Sequence, residues 1–241
     1  MKLTVYRTPL ALAEASATLL CDAMEKKPDS LCCFAAGFTQ NDTYAAMVQQ
    51  IRYRGISTDK IRVIGLDEWQ GLNGSDEGSC RFYLNERVLG PLGIAPLYYF
   101  DGKGDLEAQC AAADQLLDAQ GPIDILVLGV GMNGHLGFNE PGSSGDMRSH
   151  VHALDAVTQQ VGGKYFGGNA PPAAGVTLGL KDLLQAKTIL LQIVGSHKAP
   201  VLQQLIDSPV TADFPVSFLK NTAAYVYVDK AVIGNNHQYC T

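Results

Sequence analysis

The chain has 241 residues, 46% hydrophobic and 17% charged, with no low-complexity run, which is enough apolar material for one large core. Against 24 Asp and Glu stand 18 Lys and Arg, and the net charge of −6 argues against nucleic acid or an anionic membrane as the main partner. No apolar stretch approaches the ~20 residues that span a bilayer. Met1 to Arg7 read as a strand rather than a signal sequence, so a cytoplasmic protein is expected. Cys21, Cys32, Cys33, Cys80, Cys110 and Cys240 lack any C-x-x-C spacing and are read as free thiols.

In chain order, Leu3 to Tyr6 is the first apolar, β-branched run and is predicted as a strand. A helix follows from Pro9 to about Lys26, with Thr8 as N-cap, Pro9 at the first helical position, and Ala, Leu and Met at helical spacing. The alternation then repeats. Strands are predicted at Leu31 to Ala36, Ile61 to Leu66, Leu97 to Phe100, Ile123 to Leu128 and Ile189 to Val194, with a last one at Tyr225 to Val228. Helices are predicted at Asn41 to Tyr53, Leu106 to Ala119 and His197 to Ile206. Strand, helix, strand order implies parallel pairing through right-handed crossovers. The expected fold is therefore α/β, doubly wound, with a mostly parallel sheet flanked by helices, in a single domain over residues 1–241.

In such a fold ligands collect beyond the carboxyl ends of the strands. Gly37, Phe38 and Thr39 lie in a turn that runs into a helix, where main-chain N–H groups could cradle a phosphate. An ordinary turn capped by Thr39 or Asn41 fits as well. Asp67 and Glu68 end an apolar strand, and either could be a general base or simply an acidic turn residue. From Gly129 to Gly142 the chain reads GVGMNGHLGFNEPG, in which Gly129, Gly131 and Gly134 match G-x-G-x-x-G. A dinucleotide reading requires a helix to start there, which Pro141, Gly142 and Gly145 oppose, even though Asp155 stands at a suitable distance for a ribose. The segment instead reads as a glycine-rich loop presenting Asn133, His135 and Glu140 to one point, with Gly131 and Gly134 letting a ligand approach the main chain. Lys198 follows a strand, with Ser196 as a helix cap, and Lys164 follows two glycines; each is a candidate anion contact or a solvated lysine.

Together these segments resemble the glucosamine-6-phosphate deaminase family. The pattern Leu-Asp-Glu-aromatic is matched by Leu66 to Trp69, and Gly-x-Gly-x-Asp/Asn-Gly-His followed by Asn-Glu-Pro is matched by Gly129 to Pro141. Asn133 to Gly137, Asn139 to Gly142 and Gly175 to Asp182 are most similar to the galactosamine-6-phosphate deaminase/isomerase branch. The resemblance implies conversion of galactosamine 6-phosphate to tagatose 6-phosphate with release of ammonia, and needs neither metal nor cofactor. It makes Asp67 the base, His135 the ring-opening group and Glu140 its partner. Gly37, Phe38, Thr39, Lys164 and Lys198 would hold the phosphate, Lys164 standing where the glucosamine enzymes carry an arginine, and Glu68, Gly131 and Gly134 would complete the pocket. Asn133 replaces an aspartate of the glucosamine enzymes, leaving an amide oxygen and Glu140 to accept hydrogen bonds from the imidazole. The alternatives are glucosamine-6-phosphate deaminase, 6-phosphogluconolactonase hydrolysing an ester on the same fold, and a non-catalytic sugar-phosphate sensor. A homo-oligomer stays open.

Overall fold

The computed structural model describes residues 1–166 and 171–234, and of Lys164 only the main chain. In chain order the elements are β1 (Lys2–Tyr6), α1 (Pro9–Lys26), β2 (Leu31–Phe34), α2 (Asn41–Arg54), β3 (Arg62–Gly65), β4 (Asp67–Trp69), α3 (Cys80–Leu84), α4 (Gly90–Leu92), α5 (Leu106–Gln120) and β5 (Ile125–Leu128). There follow β6 (His150–Ala153), α6 (Ala156–Gly162), β7 (Ala174–Thr177), α7 (Leu180–Leu183), β8 (Thr188–Ile193), α8 (Ala199–Asp207), β9 (Tyr225–Asp229) and α9 (Lys230–Ile233). Thr8 Oγ1 accepts from the Ala11 N–H at 3.1 Å with Pro9 opening α1, as the sequence implies.

Six strands form one parallel sheet in the order β1-β9-β8-β5-β2-β3. Alternate residues of each strand feed different cores. Cys32, Phe34, Val63, Ile125 and Val127 pack under α1 and α2, whereas Cys33, Ile64, Leu126, Leu128 and Leu191 pack toward α5, α8 and α9. Both faces are therefore covered, which is why these strands are nearly continuous apolar runs. The doubly wound α/β reading of the sequence stands. One strand expectation does not: Leu97 to Phe100 touches the sheet only through a single bridge, Ile64 to Tyr98, because the chain turns away at once toward Asp101.

A second sheet, β4-β7-β6, is antiparallel and absent from the sequence reading. It starts where β3 ends. After Gly65 and Leu66 the chain leaves the large sheet, and Asp67 pairs with Thr177. From β2 the chain steps outward to β3, then returns to lay β5 on β2's other side. The loops after β2 and β5 therefore diverge, opening a crevice at the switch point of the large sheet. Among the described residues no helix is long and apolar enough to cross a membrane. The described cysteines are free and buried, and Cys240 lies outside the described residues.

Candidate active site

The crevice is a cleft of ≈ 950 Å³. It brings together Asp67 from β4, Gly131 and His135 from the loop after β5, the turn Gly37, Phe38 and Thr39 after β2, and Lys198 after β8. Two loops are also tied directly: a Cβ added at Gly137 would stand 3.4 Å from Asp67 Oδ2, so the glycine-rich loop runs against that carboxylate. Gly137 has φ +58, a conformation that L side chains rarely adopt.

The imidazole of His135 is held from behind. Its Nδ1 is 2.9 Å from Thr158 Oγ1 and 3.5 Å from Glu140 Oε2. Asn133 Nδ2 donates to Glu140 Oε2 at 2.7 Å, and Asn133 Oδ1 accepts from the main-chain N–H of His135 at 3.3 Å. This corrects the expected role of Asn133: its oxygen holds the loop and its nitrogen serves Glu140, while the ring uses Thr158. The Glu140 carboxylate needs donors, and an amide at Asn133 supplies one where an aspartate would add a like charge. Burial pushes the Glu140 carboxyl up, but the hydrogen bonds and charge of His135, with Thr158 and Asn133, outweigh it, and the group lies below its ordinary value. Glu140 is 1% exposed. Neither Glu140 nor Asn133 lines the cleft; both act on His135 from within the protein. Gly134 likewise falls outside the lining and faces Phe214, its carbonyl accepting from Val216 N–H at 2.9 Å.

Asp67 and Glu68 part company because β4 is a strand and its side chains alternate. Asp67 and Trp69 line the cleft. Burial, reinforced by the nearby charge of Glu68 and opposed by a hydrogen bond from the Cys80 thiol, raises the Asp67 carboxyl to about 7. Glu68, expected in the pocket, points the other way, toward the start of α3. Its oxygens accept from Ser79 Oγ (2.6 Å) and from the N–H groups of Trp69 (2.9 Å), Cys80 (3.0 Å) and Arg81 (3.1 Å). Glu68 thus fixes the start of α3 against β4. Glu68→Ala strands these donors and is expected to lower stability by about 3 kcal/mol, measured as a fall in the urea midpoint.

At the anion end, Gly37 has φ +146, and α2 begins without a side-chain cap, so neither Thr39 nor Asn41 caps it. The amide of Gln40, oriented to donate to Gly37 O (3.2 Å) and accept from Gly129 N–H (3.1 Å), ties this turn to the strand end of β5. Lys198 Nζ donates to Val130 O at 2.6 Å, bringing an ammonium to the same neighbourhood. Ser196 makes no capping hydrogen bond; a short turn, Ser196–Lys198, precedes α8, which starts at Ala199. Lys164 stands in the turn Gly163–Phe166, and its side chain lies outside the described residues. Among the described residues no cluster of His, Cys, Asp and Glu is arranged to hold a metal ion.

The family model described as glucosamine-6-phosphate isomerases/6-phosphogluconolactonase matches residues 8–228. The chain belongs to this family. It is 36% identical over 223 residues to glucosamine-6-phosphate deaminase 1 of Bacillus subtilis (strain 168), covering 91% of this chain and 92% of that one. A solved structure of a monomeric glucosamine-6-phosphate deaminase, described as a missing link of the NagB superfamily, superposes with TM-score 0.92 at 34% identity, covering 96% of this chain and 98% of that one. The 6-phosphogluconolactonase of Trypanosoma brucei superposes with TM-score 0.72 at 19% identity over 98% of each chain, a likeness of fold alone.

In this member of the family the cleft also contains residues that sequence reasoning missed. Thr158 touches His135, while Val157 and Val161, 39% exposed each, line the mouth with Phe38, 49% exposed. All but Phe38 come from α6, whose N-cap is Asp155, accepting from Val157 N–H at 2.8 Å. The signal was present. Asp155 at the head of a short run with Val157 and Val161 four apart is a capped amphipathic turn, not a ribose partner.

Proposed function

We propose that this chain is a deaminating aldose-ketose isomerase of amino-sugar 6-phosphates, acting on galactosamine 6-phosphate to give tagatose 6-phosphate and ammonia. The observation that carries this reading is the meeting of Asp67 and a buttressed His135 in one cleft with Gly37, Thr39 and Lys198. His135 moves a proton from the anomeric hydroxyl to the ring oxygen and opens the sugar. Asp67, as carboxylate, takes the proton from C2 and returns it at C1, while a proton of the substrate ammonium passes to O1, leaving an iminium at C2. Water adds there, and ammonia leaves as the ketone forms. A base with its carboxyl near 7 suits this task, since a good share of it is ionised at neutral pH and it is basic enough to take a carbon-bound proton. The phosphate is taken by the Gly37 to Thr39 turn with Lys198 and Lys164, and that remote grip holds C1 and C2 at the carboxylate.

The galacto assignment rests on the wording of the Asn133 to Gly137, Asn139 to Gly142 and Gly175 to Asp182 segments. Glucosamine 6-phosphate is the second reading, favoured by the names of the relatives at 36% and 34% identity. A coupled ammonia assay on both epimers decides. Faster release from galactosamine 6-phosphate supports the assignment, and faster release from the gluco epimer keeps the reaction but changes the sugar. Hydrolysis of 6-phosphogluconolactone without ammonia release from either sugar overturns the proposal, as does tight binding of both sugars without turnover. Lys198→Ala is expected to raise KM about 10- to 100-fold with a smaller change in kcat, measured from initial rates, because a charge-assisted phosphate contact is lost while Asp67 and His135 stay in place.

A further inference from the structure

The oxygens around His135 Nδ1 determine more than its orientation. Glu140 Oε2 is 3.5 Å from Nδ1, long for a direct bond, whereas Thr158 Oγ1 is at 2.9 Å. Asn133 Nδ2 donates to Glu140 Oε2 at 2.7 Å and stands 3.5 Å from Thr158 Oγ1. A bare Nδ1 would set its lone pair against the Glu140 carboxylate, which only accepts, whereas a protonated Nδ1 meets two acceptors, Thr158 Oγ1 and Glu140 Oε2. The proton between Thr158 and the ring must then sit on Nδ1. The assembly is dry, with Thr158 5% and Glu140 1% exposed, so no solvent competes for these bonds.

We infer that Thr158 is a positioning residue that accepts from His135 Nδ1–H beside Glu140 and so fixes the tautomer whose bare Nε2 meets the sugar. This deepens the proposed reaction and rests on it, because ring opening must begin with a nitrogen able to accept the anomeric proton. Thr158 lies in the first turn of α6, three residues after the cap Asp155 and next to Val157 at the cleft mouth. The helix that shapes the mouth therefore also sets the protonation of the ring.

Nitrogen-15 NMR of the full chain, with the His135 signal assigned by its loss in His135→Gln, reads the tautomer directly. Wild type and Thr158→Ser are expected to carry the proton on Nδ1, and Thr158→Val to show a mixture. In the ammonia assay Thr158→Val is expected to lose about 10- to 100-fold in kcat with KM changed less than about threefold, and Thr158→Ser to recover most of the loss. A wild-type ring protonated on Nε2 overturns the inference without any variant. So does a folded Thr158→Val enzyme with wild-type kcat and tautomer. Absence of ammonia release from wild type on either amino-sugar phosphate would instead overturn the reaction, while the NMR result would still decide the role of Thr158.

Discussion

Replacing Asp67 by Asn is expected to lower kcat about 10³- to 10⁴-fold and, in the same variant, to raise the melting temperature above pH 7. On the proposed reading the first effect follows from removing the base that moves a proton between adjacent carbons, while the Gly37 turn and Lys198, the proposed phosphate grip, stay in place. Competition by a non-reactive sugar phosphate should therefore be nearly unchanged. The second effect follows from linkage. The Asp67 carboxyl ionises near 3.8 when free of the fold and near 7 within it, chiefly because it is buried. Between those values the unfolded chain releases a proton that the fold retains, so the contribution of Asp67 to stability is complete below about pH 4 and is lost as pH rises through 7. The loss is on the order of 4 kcal/mol by pH 8. Asn cannot ionise and escapes it. Melting curves of the two proteins should run together near pH 4 and separate by at least ~5 °C at pH 8. In the wild type, kcat/KM should rise with pH toward a plateau above about 7, as the carboxylate forms. Near-full turnover in Asp67→Asn would remove Asp67 from the chemistry, and parallel melting curves would show that its carboxyl is not held protonated.

The same strand explains what could and could not be read from the sequence. The parallel sheet was legible because Leu31 to Phe34, Ile125 to Leu128 and Thr188 to Ile193 are buried on both faces and spell continuous apolar runs. The antiparallel sheet was not. Its strands, Asp67–Trp69, His150–Ala153 and Ala174–Thr177, have three or four residues each, too few for a pattern to stand out, and partners that lie far apart in the chain. Missing it meant reading Asp67 and Glu68 as neighbours in a turn, free to face one cavity, when strand geometry sends one to the cleft and the other to α3. The glycine-rich loop was legible as a ligand surface, because Gly129 to Gly142 could not support a helix. What held its histidine was not, since Thr158 comes from α6, 23 residues further on. Asn133 shows the same limit: the sequence reveals an amide, and only the positions of Glu140 and the His135 main chain reveal which end of it is used.

Gly131→Ala should nearly silence the enzyme without unfolding it. A Cβ at Gly131 would stand 2.3 Å from His135 Cε1, 2.4 Å from Nδ1 and 2.5 Å from Nε2, all far inside contact distance. Gly131 is not among the glycines with positive φ, so alanine fits the backbone and the whole conflict falls on the imidazole. The ring must swing out of its contacts with Thr158 and Glu140 toward the open cleft, where it is no longer aligned with the anomeric oxygen. A displacement of ~1 Å at a proton-transferring group is worth about 10²-fold in rate. The expected result is a fall in kcat of at least ~10²-fold, with the melting temperature within a few degrees of wild type, because the cleft has room to receive the ring. A double-mutant cycle separates this account from general damage. In a His135→Gln background the alanine should cost little more, since the group it displaces no longer shuttles the proton. Equal losses in both backgrounds would mean that Gly131 serves the substrate's approach to the main chain and not the seat of the imidazole.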